Sequence, residues 1–108
     1  MIKSASEFLA LASLKRSTVK VRGKEVNIRE LSVAEREKML RLARADKDSA
    51  ATDSQVFLLR NCVIDADGKP LFTDAQAADL AGSAPDVCDA VATAIMQMSG
   101  LGDDSKNA

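Results

Sequence analysis

The sequence contains no histidine, no tryptophan and no tyrosine, and its only aromatics are three phenylalanines. Without histidine the chain lacks the commonest general base, a frequent metal ligand and the side chain that titrates near neutral pH. A hydroxyl nucleophile would then need a lysine base, yet no Ser-x-x-Lys pair stands in a recognisable site context, and Ser13 and Lys15 have the wrong spacing. The carboxylate pair Asp103 and Asp104 lies in a polar terminal stretch, where no burial is expected to shift a pKa. No enzyme activity, cofactor or metal is therefore expected. Long apolar runs are also missing: Leu9–Leu14 is interrupted by Ser13 and closed by Lys15 and Arg16, far short of the roughly 20 residues that cross a bilayer. Met1–Ala12 has no basic region followed by a long apolar stretch, which argues against export. Cysteine is scarce too. Cys62 and Cys88 sit far apart among apolar neighbours without C-x-x-C spacing, as reduced core thiols of a cytosolic protein would. Spacing alone leaves a bridge between them open.

What is present is an ordinary globular balance of 46% hydrophobic and 29% charged residues, with an aliphatic core in prospect. The 108 residues suit one domain, expected over 1–101, with a disordered polar tail over 102–108. The net charge of −1 hides a segregation: residues 1–47 carry 12 Lys and Arg against 6 Asp and Glu, whereas residues 48–108 carry 3 against 10. Such polarity favours attraction between the two ends, within one molecule or head to tail between neighbours.

The pattern predicts a mainly α (α+β) fold of about five short helices with one N-terminal two-stranded antiparallel hairpin near residues 18–29. Ser4 and Glu7 have capping-box spacing ahead of Phe8, Leu9, Leu11 and Leu14, so a first helix should end near Lys15 and Arg16. Val19 and Val21, then Val26 and Ile28, alternate with polar residues, the period of two strands. A Gly23-Lys24 turn would set Val21 opposite Val26 and Val19 opposite Ile28, with all four aliphatics on one face. Ser32 and Glu35 open a second helix with Val33, Met39, Leu40 and Ala43 near one side. A third should run from about Thr52 to Ile64 with Val56, Leu59, Cys62 and Val63 on its stripe. Thr73 and Gln76 cap a fourth, reaching about Ala81, and Pro85 opens a last, amphipathic one.

Two motifs invite chemistry. Asp65-Ala-Asp-Gly68 resembles the start of a calcium loop, but an EF-hand would need Gly at position 70 and Glu at 76, where Pro70 and Gln76 stand. A plain Asx turn is the better reading. The basic first half has the footprint of phosphate binding, yet Glu25, Glu30, Glu35 and Glu37 are interleaved with the cations and no Tyr or Trp offers a stacking platform. These features argue against nucleic acid as partner. The cations Arg36, Lys38, Arg41 and Arg44 are instead a candidate surface for self-association. Apolar Val87, Val91, Ile95, Met96, Met98 and Leu101, on and beyond the last helix, form the candidate partner-binding set, since that stripe is wider than one core contact needs.

Val19–Arg36, a glycine hairpin running into a capped helix, resembles the small tail assembly chaperones of long-tailed bacteriophages and prophages. Cys62–Asp74 resembles the turn those proteins place between helices, and the likeness spans roughly Thr18 to Leu101. The resemblance implies a protein of the bacterial host's cytoplasm that coats the helical tape-measure protein, keeps it soluble and helps to recruit tail-tube subunits. It implies many copies acting together. In many such phages a ribosomal frameshift makes a longer second form, and Lys106-Asn107 is compatible with an A-rich slippery codon pair. Two rivals have different consequences. A structural tail or head-completion protein would remain in the virion, and a small DNA-binding regulator would bind duplex through Arg36, Lys38, Arg41 and Arg44 in a salt-dependent way.

Overall fold

In the computed structural model, which describes residues 1–101, the elements run α1 (Ala5–Leu11), β1 (Arg16–Val21), β2 (Lys24–Arg29), α2 (Val33–Arg44), α3 (Ala50–Cys62), β3 (Val63–Ile64), α4 (Asp74–Ala78), a 3-10 turn (Asp79–Gly82) and α5 (Pro85–Met98). The α+β class, the five helices and the N-terminal hairpin agree with the sequence pattern. The expected tail, 102–108, lies outside the described residues.

The hairpin differs from expectation in register. Val19 pairs with Val26 and Val21 with Lys24, two residues away from the predicted alignment, because the turn residues are Arg22 and Gly23. Both have positive φ, 48° and 77°, the requirement of a type I′ turn, whose twist matches that of the strands. A slip of two leaves side-chain parity intact, so Val19, Val21, Val26 and Ile28 still share one face. Arg22, the residue in the less favoured conformation, makes a bidentate pair with Asp86 in the first turn of α5, at 2.6 and 3.0 Å.

A third strand, β3, replaces the expected last residues of the third helix. Val63 and Ile64 leave α3 and pair antiparallel with Ile28 and Asn27, giving a sheet of order β1-β2-β3. The third helix accordingly ends at Cys62 and starts earlier than expected, at Ala50. The first also stops short, at Leu11: Lys15 and Glu30 exchange two hydrogen bonds, at 2.7 and 3.0 Å, which draw the chain into β1. Three hydroxyl caps form as read from sequence. Ser4 accepts from the Glu7 N–H, and Ser32–Glu35 and Thr73–Gln76 close reciprocal boxes.

The apolar face of the sheet is covered by α3 and α5, with α2 packed on α3. Ile28, Leu58, Leu59, Cys62, Val91 and Ile95 form the centre, each buried. Burying one such Leu, Ile or Val side chain stabilises by about 1.5–3 kcal/mol. Ser99 is the one buried polar residue among the described residues: its Oγ accepts from the Leu31 N–H at 2.9 Å and donates to the Ile95 carbonyl at 2.7 Å. That joint ties the end of α5 to the entry of α2. Asp65 forms the expected Asx turn, accepting from the N–H groups of Asp67 and Lys69, which hold its carboxyl below the usual range.

Candidate interaction surface

The structure distributes the expected contact residues between core and surface. Val91 is 3% exposed and Ile95 0%, so α5 spends the centre of its stripe on its own domain. Val87, Met96, Met98 and Leu101 are half-buried and pack against the same core. The α2 cations Arg36, Lys38, Arg41 and Arg44 are all exposed. Arg41 pairs with Glu37 at 2.8 Å, and the Lys38 ammonium sits 5.3 Å from the centre of the Phe57 ring. No ion pair is formed by Arg36 or Arg44 among the described residues. Val33, expected on the inner side of α2, is 78% exposed instead.

The unsatisfied apolar surface lies elsewhere. No residue of α1 is buried: Phe8 is 57% exposed, Leu9 69% and Leu11 73%, and Ile2 and Leu14 are exposed beside them. Monomeric proteins rarely leave clustered large apolar groups in water without use for them. Behind α1, Ala12 and Leu14 line a shallow groove with Leu31, Val33, Arg36 and Ser99, about 180 Å³ in volume. A fully apolar cleft of about 130 Å³ opens among Val26, Val63, Leu71, Phe72, Leu80 and Val87. The capping box and the apolar residues after it mark α1 in the sequence, but a seven-residue helix reads the same whether those residues are covered or bare.

One polar cluster ties the end of β2 to the start of α2. Arg29 grips Glu35 through both guanidinium nitrogens, at 2.7 and 2.9 Å, and donates to the Glu30 carbonyl. The guanidinium lowers the Glu35 carboxyl to about 2, and burial beside it pushes the Cys62 thiol up to about 12. Burial also raises Cys88. Both cysteines are free and buried, as expected. Among the described residues no helix is long and apolar enough to cross a membrane.

Taken together, fold and surface define a small α+β domain carrying an uncovered apolar helix and a separate apolar cleft. Comparison with solved structures finds the same fold in the tail assembly chaperone of bacteriophage HK97: the TM-score is 0.62 at 17% identity, over 87% of this chain and 98% of that one. At that identity the likeness is one of fold. No protein-family model matches the sequence, and no curated protein matches it.

Proposed function

We propose that this chain is a tail assembly chaperone of a long-tailed phage or prophage. It acts without enzyme activity or cofactor in the host cytoplasm, binds the tape-measure protein and helps to recruit tail-tube subunits. The observation that carries the reading is the shared fold with the HK97 chaperone across nearly the whole of both chains. The exposed apolar residues of α1 support it, because a long helical client with apolar stripes needs a complementary cover. Half-buried Val87, Met96, Met98 and Leu101 widen that cover at the edge of α5, and Val91 and Ile95 hold the helix in place beneath it. Self-association, with Arg36, Lys38, Arg41 and Arg44 among its charged contacts, multiplies the cover along the client. A frameshifted longer form is part of the same proposal.

Co-expression with the tape-measure protein of the same phage tests it. The client is expected to move into the soluble fraction and to co-purify with this chain. Equal solubility with and without the chain overturns the reading. Purified virions should lack the chain, whereas its retention there would favour a structural tail or head-completion component.

A further inference from the structure

We propose that α1 of one copy docks into the apolar cleft of a second copy, with Phe8 filling the cleft, so that copies join head to tail. The proposal rests on the self-association part of the reading above and needs no tape-measure contact.

Size is the first argument. The cleft measures about 130 Å³ and is lined by apolar side chains alone. A cavity of about 150 Å³ with such walls holds benzene, whereas drug-sized ligands need roughly 300 Å³ or more. One phenyl ring is therefore the right occupant, and Phe8 is the large aromatic side chain on the bare helix, 57% exposed. Leu71, at the rim, is 51% exposed and extends the apolar contact outward.

Charge is the second. Residues 71–101 carry Asp74, Asp79, Asp86 and Asp89 and no Lys or Arg. Asp86 is paired with Arg22 and Asp74 with Arg60, but neither Asp79 nor Asp89 has an ion pair among the described residues. Asp79 lies in the depression next to the cleft, beside Leu71, Phe72 and Leu80. The approaching α1 is flanked by Lys3 and Lys15, against a single Glu7. The cations flanking the helix and the carboxylates beside the cleft attract, and the charge segregation along the whole chain follows the same axis.

The cleft of the same copy is not the partner, because none of its lining residues comes from α1, whose exit at Ala12 and Leu14 lines the groove beside Val33. A contact between two different surfaces is heterologous. It closes into rings or extends into open helical arrays.

Two full-length variants test this by sedimentation velocity. Phe8→Asp spoils the helix and leaves the cleft intact; Leu71→Asp blocks the cleft and leaves the helix intact. Each is expected to weaken self-association at least about tenfold, the effect of losing one large apolar anchor. Mixed together, they should form a one-to-one dimer that grows no further. Circular dichroism checks folding, and should either variant unfold, the charge swap Lys3→Glu with Asp79→Lys replaces it: each single change weakens assembly and the pair restores it. A wild-type chain that stays monomeric, or assembly untouched by Leu71→Asp, overturns the proposal. If the monomer nonetheless solubilises the tape-measure protein, the chaperone reading survives without it. Head-to-tail assembly with no effect on that client has the opposite consequence.

Discussion

Ser99 shows how much one hydroxyl does at a buried joint. Its Oγ satisfies the Leu31 N–H where the chain passes from β2 to α2 and returns its own proton to the Ile95 carbonyl. Ser99→Ala leaves a buried N–H without a partner and is expected to cost about 1–3 kcal/mol in urea unfolding. Glu35 works at the same entry through charge. Its carboxyl is lowered to about 2 from 4.5, chiefly by its hydrogen bonds with Arg29. A depressed carboxylate stabilises the fold fully above its unfolded pKa and loses that contribution as pH falls through the folded one. Glu35→Gln should therefore cost ~1–2 kcal/mol at pH 7, after allowance for solvent contact, and nearly nothing at about pH 2. Unfolding curves of both chains across pH 2–7 measure the convergence. Neither role was legible beforehand in full: Ser32–Glu35 spacing announced the cap, but Arg29 as its partner and Ser99 as a joint depend on contacts distant in sequence.

Elements were legible where a period or a cap marks them. Alternation at Val19, Val21, Val26 and Ile28 identified the hairpin and its buried face, while its register was misplaced because Gly23 can serve either position of a two-residue turn. Two residues are too few to show a period, so β3 was absorbed into the preceding helix. The turn itself predicts an outcome: Arg22→Asn installs the favoured Asn-Gly pair and gives up only an exposed ion pair, so the melting midpoint should rise. The helices present a sharper contrast. Apolar residues mark both α1 and α5 in the sequence, and only packing decides that one is bare and the other filled. Ile95→Ala should cost about 2–5 kcal/mol, as deletion of a fully buried branched side chain does. Phe8→Ala, on a helix with no buried residue, should leave stability within about 0.5 kcal/mol while reducing self-association. Thermal unfolding and sedimentation of the same two variants separate packing from docking.

At the scale of the whole molecule the charge division becomes a physical axis. The basic half supplies α1, the hairpin and α2; the acidic half supplies the 3-10 turn and α5 around the cleft. Within one copy the two halves are already joined at Arg22–Asp86 and Lys47–Asp53, yet Asp79, Asp89, Arg36 and Arg44 have no ion pair among the described residues. Contacts between copies can use what the monomer leaves over. Attraction of this kind is screened by salt, the Debye length falling from about 30 Å at 0.01 M to about 3 Å at 1 M, whereas burial of Phe8 is not. Sodium chloride should therefore reduce the average mass of the assemblies without dispersing them, and the residual association at 1 M should vanish in Phe8→Asp. An assembly driven by charge alone would disperse completely in the wild type at high salt. One driven by apolar contact alone would show no salt dependence at all. The intermediate result, a salt-sensitive assembly with a salt-resistant remainder that depends on one ring, is the signature of an apolar helix with basic flanks anchored in a cleft beside carboxylates.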